Sequence, residues 1–157
     1  MDQVTTRLAT PDDLTDLADL WYENRVLQQQ FDSRLTLISG AKAKWIDEAS
    51  RWLAHPRCAI WVALRGGNRQ GYLVLWLQDM PPGVVPACVG YVSDMTFDLH
   101  SPSGGAGQIL LNAAREWLMQ QGIENMIVVV PHRQPVQQAF WHGQGARTWM
   151  DLMWLKL

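Results

Sequence analysis

The sequence has few cysteines and no long apolar run. Its two cysteines, Cys58 and Cys88, form no CxxC pair and have no histidines at metal-ligand spacing. We therefore expect small core residues in a reduced compartment and no metal site. No apolar run approaches the ~20 residues that a membrane span needs, and the polar, acidic N-terminus is unlike a signal peptide. These absences predict a cytoplasmic protein with no membrane partner.

A bias toward one sign of charge is also missing. Thirteen basic and fifteen acidic residues give a net charge of −2, so we expect no nucleic-acid partner. Hydrophobic residues make up 48% of the chain and charged residues 18%, which excludes disordered and fibrous classes. The 157 residues contain no linker, repeat or low-complexity segment. They therefore predict one domain over residues 1–157.

Hydrophobic periodicity predicts alternating strands and helices, and hence an α/β fold. The predicted elements are a strand at 4–9, helices at 10–30 and 41–54, a hairpin of strands 58–64 and 72–77, a strand at 87–98, a helix at 106–121, a strand at 127–130, a short helix at 136–142 and a last strand at 146–157. In the 87–98 strand, simple alternation places Tyr91, Ser93, Met95 and Phe97 on one face, unless a bulge intervenes.

A glycine-rich loop, Ser103-Gly104-Gly105-Ala106-Gly107-Gln108, lies between a predicted strand and a predicted helix. Glycines allow a ligand to approach the backbone closely, and the free N–H groups of a helix start favour phosphate. The alternative is a mobile loop that merely changes the chain direction. Neither common phosphate motif fits. The lysines of a P-loop are absent here, and Leu110 replaces the third glycine of a dinucleotide fingerprint.

The order of these parts resembles the GNAT superfamily of N-acetyltransferases, from Val4 to Leu157. Met95-Thr96-Phe97 resembles the family's LxV-like triplet, and Gly105-Ala106-Gly107 resembles the GxG of its loop. The segment from Phe140 to Ala146 resembles the family's FYxxxGF. The resemblance implies a single-domain GNAT-like acyl-CoA N-acyltransferase fold, with a mixed central sheet flanked by helices.

The same resemblance implies acetyl-CoA as co-substrate and assigns residues to it. The strand with the triplet would splay from its neighbour, and the backbones of Met95 and Phe97 would pair with the pantetheine amides. Backbone N–H groups from Ser103 to Gln108 would hold the pyrophosphate. An N–H near Phe97 would polarise the thioester carbonyl. Thr96, Gln134 and Trp141 stand at further cofactor-binding positions.

The sequence departs from the family pattern at four positions. Pro102 replaces the Gln or Arg that opens the loop motif, and Gln134 replaces an asparagine. Trp141 replaces the tyrosine that protonates the departing thiolate, and an indole cannot act as an acid near neutral pH. Val129 replaces a glutamate that serves some members as a base. Asp94 is a replacement base, directly or through water, or else is merely solvated or paired with an arginine.

The resemblance places the acceptor site at the first two helices and the loop between them. There Glu23, Asp32 or Asp47 could attract an amine, and Trp21, Trp45 or Trp52 could line a pocket. We predict direct attack by a primary amine of a small molecule or peptide in a ternary complex. The competing hypotheses are a CoA-binding module with little or no activity and a mere interaction surface. A homodimer is a further expectation, because dimers are common in the family and the last strand would leave an edge.

Overall fold

Five strands form one mixed sheet with helices on both faces. The structure is a computed structural model that describes residues 2–101 and 104–157. Its elements are β1 Thr5–Leu8, α1 Leu14–Phe31, α2 Ala41–Leu53, β2 Cys58–Arg65, β3 Asn68–Asp79, β4 Cys88–Phe97, α3 Ala106–Gln120, β5 Met126–Val128 and α4 Pro135–Gly143. This architecture confirms the predicted fold class, and the bounds of these nine elements lie within four residues of the predicted ones.

The strands lie in the order β1-β2-β3-β4-β5. All neighbours are antiparallel except β4 and β5, which are parallel. The predicted hairpin of β2 and β3 turns at Gly66 and Gly67, whose φ angles are 55° and 83°. Positive φ at both central residues is the requirement of a type I′ turn, and glycine meets it without strain.

Strand residues alternate between two apolar layers. Tyr72 and Val74 of β3 pack with α1 and α2, whereas Leu73 and Leu75 pack with α3. Both layers contain fully buried side chains, so the central strands are covered on both faces. Along the chain, the carboxyl end of β4 leads into the glycine-rich loop that precedes α3.

The turn before α1 is held by a buried carboxylate. Asp13 is fully buried and accepts hydrogen bonds from Arg7 at 2.6 and 2.9 Å and from Arg69 at 3.0 and 3.1 Å. The N–H of Thr10 donates to it at 2.8 Å. The hydrogen bonds from Arg7 are the main cause that holds the pKa of Asp13 far below its usual range. This network fixes β1 and β3 to the start of α1.

A bulge in β4 corrects the prediction of its faces. Val92 pairs with Leu75 and Asp94 pairs with Val74, so Ser93 is the extra residue. As a result Val92, Met95 and Phe97 share the α3 face. The prediction that Tyr91 and Ser93 share this face with Met95 was wrong, because a bulged residue shifts the alternation by one.

The predicted last strand at 146–157 does not form. The structure assigns no strand to this segment, and every residue from Arg147 onward is exposed. Its residues are apolar on both faces, as in a strand that is covered on both sides, but in the described structure neither of its faces is covered. β5 is therefore one of the two edge strands of the described sheet, with β1 at the other edge. Seven large apolar side chains of the segment are 60–108% exposed: Trp149, Met150, Leu152, Met153, Trp154, Leu155 and Leu157.

Candidate functional site

A gap opens between β4 and β5. β5 pairs with β4 only from Gly90 to Val92, whereas β4 continues to Phe97. Within the described ranges, the segment from Ser93 to Phe97 has β3 on one side and no strand on the other. The gap begins at the bulge and is bordered by the triplet Met95-Thr96-Phe97.

The backbone groups of Met95 and Phe97 face this gap. The N–H of Asp98 donates to Gln70 O at 2.9 Å, and Thr96 O lies 2.7 Å from the position that a Cβ on Gly71 would take. Residues 96 and 98 therefore direct their N–H and C=O groups toward β3. Because these directions alternate along a strand, residues 95 and 97 direct theirs away from β3. Phe97 O already accepts a hydrogen bond from Asn24 Nδ2 at 2.9 Å, so an extended ligand in the gap can pair with the N–H and C=O of Met95 and with the N–H of Phe97.

Two glycines make room for the Phe97 ring at the end of β4. A Cβ on Gly71 would lie 2.6 Å from Phe97 Cδ1, and one on Gly107 would lie 3.3 Å from Phe97 Cζ and 2.9 Å from Phe140 Cε2. The Phe97 ring thus lies against β3 on one side and the first turn of α3 on the other. The absence of side chains at both glycines brings the triplet close to the glycine-rich loop.

The start of α3 presents backbone donors that have no partner among the described residues. Gly105 caps the helix with φ of 92° and offers no side chain to it. The first intrahelical bond runs from the N–H of Ile109 to Gly105 O at 3.1 Å, so the N–H groups of Ala106, Gly107 and Gln108 have no partner within the helix. Such a turn favours a phosphate, through the donors and through the helix dipole.

The other predicted residues of the loop have different surroundings. Gly104 adopts a φ of 32°, and a Cβ there would lie 2.1 Å from Arg65 Nη2. Arg65 donates to Gly104 O at 3.3 Å, which ties the loop to the β2–β3 hairpin. The Gln108 side chain donates a hydrogen bond to Asn112 Oδ1 at 2.9 Å and accepts one from Gln144 Nε2 at 2.8 Å. Pro102 and Ser103 lie outside the described residues.

α4 carries two further predicted positions. Gln134 precedes the helix as its cap residue and is partly buried. Trp141 is 8% exposed and packs in the same apolar layer as Met95 and Phe97, with its ring 5.3 Å from that of Phe140. The indole thus contributes apolar packing on the layer that borders the gap.

Asp94 lies on the opposite face of β4, toward α1 and α2. Its carboxylate accepts hydrogen bonds from Tyr72 Oη at 2.5 Å and from Thr96 Oγ1 at 2.9 Å. Burial raises the pKa of Asp94, although the hydrogen bond from Tyr72 and the charge of Arg25 oppose the rise. A carboxylate with a raised pKa is a stronger base than a solvated one. Burial, with the charge of Asp94, raises the pKa of Tyr72 well above its usual value.

A cleft of about 360 Å³ lies between α1, the segment 32–40 and α2, and Arg25 in its lining is a cation whose charge acts on Asp94. The predicted residues Trp21, Trp45 and Trp52 line it. Trp45 stacks on Trp21 with ring centroids 6.1 Å apart and contacts Tyr72 at 5.7 Å. Tyr72 donates to Asp94, so one buried side chain connects Trp45 in the cleft wall with Asp94 on β4.

The acids proposed for the acceptor site lie elsewhere. Glu23, Asp32 and Asp47 are not among the residues that line the cleft. Asp32 pairs with Arg34 at 2.7 Å, and the hydrogen bonds from Arg34 lower the pKa of Asp32 to about 2. Sequence reasoning missed Tyr72, Arg25 and Lys44. Tyr72 opposes Thr96 across the β3–β4 ladder, which only the bulged register reveals.

Comparisons with known proteins agree with this fold. The model of the acetyltransferase (GNAT) family matches residues 16–146. No curated protein matches the sequence at a significant level. Among solved structures, a tetramutant of the BH1408 protein from Bacillus halodurans is 18% identical with a TM-score of 0.85, covering 98% of this chain and 99% of that one.

Two other solved structures are similar in fold. A predicted acetyltransferase with acetyl-CoA from Clostridium acetobutylicum is 15% identical, with a TM-score of 0.75 and coverage of 98% of this chain and 96% of that one. An aminoglycoside 6'-N-acetyltransferase from Acinetobacter haemolyticus is 14% identical, with a TM-score of 0.76 and coverage of 98% and 97%. At these identities the structures show a shared fold.

Proposed function

Because this chain belongs to the acetyltransferase (GNAT) family, we propose that it acts, as a single domain over residues 1–157, as an acetyl-CoA-dependent N-acetyltransferase. Its acceptor is a primary amine of a small molecule or peptide, which reacts directly in a ternary complex in the cytoplasm. The observation that carries this proposal is the gap beside β4, with the outward backbone groups of Met95 and Phe97 and the free N–H groups of α3 at its end.

These features fit the shape of acetyl-CoA. An extended pantetheine needs amide partners along one strand edge, and Met95 and Phe97 offer them. A pyrophosphate needs several donors at one point, and the N–H groups of Ala106, Gly107 and Gln108 offer them, because the cap residue Gly105 has no side chain that could occupy them. A structural neighbour was solved with acetyl-CoA, which supports the same co-substrate here.

The proposed reaction requires one side chain, Asp94, as a base. Bound acetyl-CoA supplies a thioester, and the acceptor nitrogen forms a bond to its carbonyl carbon as the carbon–sulfur bond breaks. The N–H near Phe97 would stabilise negative charge on the carbonyl oxygen. Asp94, directly or through a water, takes the proton that the amine loses. A water returns a proton to the thiolate, because Trp141 cannot.

The proposal is tested by amine-dependent release of the CoA thiol. The purified protein is incubated with acetyl-CoA and a panel of primary amines, and thiol is followed with a chromogenic disulfide. We expect release that saturates in the amine, with the N-acetyl product confirmed by mass spectrometry. Binding of acetyl-CoA without transfer to any amine would contradict the proposed N-acetyltransferase activity.

That result would favour the second candidate, a CoA-binding module with little or no catalytic activity. Trp141 supports this candidate, because the position of the thiol acid is filled by a buried indole. Pro102 in the loop motif supports it as well. Measurable acetylation that a non-reactive CoA analogue suppresses would rule the module out.

We also propose that two copies of the chain associate through residues 147–157. This segment leaves seven large apolar side chains exposed, and β5 has a free edge within the described sheet. A strand from a second copy can pair with such an edge. Leu155→Glu should lower the mass measured by light scattering to that of one chain, whereas a monomeric wild type would contradict the association.

A further inference from the structure

The cleft between α1 and α2 has an uneven distribution of charge. Its apolar side is formed by Trp21, Trp45, Trp52 and by Leu35, Leu37 and Ile38 from the connecting segment. The one acid that lines it, Glu48, forms an ion pair with Arg51 at 2.7 Å. Two cations line it as well, Arg25 and Lys44.

Lys44 is the cation that remains available. Arg25 donates to Gln28 at 2.9 Å, and its charge acts on Asp94. Lys44 is exposed and has no carboxylate within 4.0 Å among the residues that the structure describes. It also lies in the first turns of α2, whose dipole adds positive potential. The cleft thus combines an aromatic wall with an uncompensated positive charge.

Such a cleft suits a ligand that is apolar in its body and anionic at one end. Aromatic rings stack on tryptophan, and a carboxylate pairs with an ammonium group. A polycationic sugar meets the reverse conditions, because its charges are repelled by Lys44 and its hydroxyl groups find few polar partners. The volume, about 360 Å³, suits a ligand with one ring and short substituents.

We propose that the acceptor is an aromatic primary amine that also carries a carboxylate. The ring lies among the tryptophans, the carboxylate pairs with Lys44, and the amine is directed toward Asp94 and the gap beside β4. Polycationic aminoglycosides are poor acceptors for this chain. This inference rests on the proposed acetyltransferase function and names the substrate class of the same site.

A pair of matched amines tests the inference. 4-(Aminomethyl)benzoate and 4-methylbenzylamine share the ring and the reacting amine, and they differ in the carboxylate. With acetyl-CoA saturating, we expect kcat/KM to be about 2- to 5-fold higher for the benzoate, in keeping with one ion pair to an exposed ammonium group. The difference should reside in KM, and kanamycin should give a lower kcat/KM than either amine.

Two variants on α2 separate Lys44 from general electrostatics. Lys44→Gln should remove the preference for the carboxylate. Lys42→Gln is the matched control, because Lys42 is paired with Asp19 at 2.6 Å and does not line the cleft; it should retain the preference. Equal kcat/KM for the two amines, a preference that survives Lys44→Gln, or better turnover of kanamycin would overturn the inference.

Direct binding keeps the inference separate from the proposed function. Calorimetry of the protein with each amine alone should show the same order of affinity, and Lys44→Gln should equalise the two amines. If acetyl-CoA neither binds nor supports transfer, the proposed function fails while this order still decides the inference. If transfer occurs but the two amines bind and react alike, the inference fails and the proposed function stands.

Discussion

Gly105 allows the proposed phosphate site to be tested by one added carboxylate. Its φ is 92°, and no described heavy atom lies within 4 Å of the position that a Cβ would take. Alanine there causes no clash and costs only the strain of a left-handed conformation, about 1–2 kcal/mol. Gly105→Glu adds a negative charge beside the free N–H groups of α3.

The loss of CoA affinity follows from Coulomb's law. At ~6 Å from a phosphate charge and an effective dielectric constant of about 20, the repulsion is about 3 kcal/mol. We therefore expect Gly105→Glu to weaken CoA binding by at least ~100-fold. Gly105→Ala should bind CoA within about tenfold of wild type, because the strain affects folding and leaves the N–H groups free.

Gly40 provides the matched control. It also caps a helix, α2, with a φ of 72° and open space around its Cβ position. Gly40→Glu should therefore cost the same strain in thermal unfolding and leave CoA binding unchanged. Equilibrium dialysis with labelled CoA measures all three variants. Wild-type affinity in Gly105→Glu, or equal loss in Gly40→Glu, would refute the assignment of the loop.

Three further predictions concern single side chains. Asp94→Asn should keep the fold, since the amide oxygen still accepts from Tyr72, but it should lower kcat by about 100-fold. The kcat of the wild type should rise with pH above the range in which an ordinary aspartate titrates. The variant should lose this rise. An unchanged kcat in this variant would refute the assignment of Asp94 as the base. Trp141→Tyr should raise kcat by restoring a thiol acid, and an unchanged rate would mean that water is a sufficient donor. Asp13→Asn should lower the free energy of unfolding at pH 7 by about 3 kcal/mol. Because the pKa of Asp13 is depressed in the fold, its stabilisation is complete above about pH 5 and is lost as pH falls below about 4. Urea unfolding should therefore show the gap between wild type and variant narrowing from pH 6 to pH 3, and a constant gap would contradict this.

Local signals sufficed for much of the fold. The apolar spacing of Leu14, Leu17, Ala18 and Trp21 predicted α1, and the glycines between β2 and β3 predicted their turn. These features depend on residues a few positions apart, so the sequence contains what decides them. The order of the glycine-rich loop after β4 also came from the sequence, because the pattern of strand, loop and helix is continuous along the chain.

Features that depend on long-range pairing could not be predicted from the sequence. The bulge at Ser93 depends on how β4 pairs with β3, and it reverses the face that Tyr91 occupies. The contact of Tyr72 with Asp94 joins residues 22 positions apart and follows from that register. The segment 146–157 has the composition of a strand, but a strand also needs an edge with matching faces, and neither condition can be read from its own residues.

Calorimetric titration of the wild-type protein with acetyl-CoA tests the central claim most directly. The account predicts one site per chain with a micromolar Kd, and competition by CoA, because the free N–H groups of α3 and the backbone of Met95 and Phe97 are available to the ligand. The absence of binding at millimolar acetyl-CoA would contradict the assignment of the gap and the loop, and with it the proposed acetyl transfer.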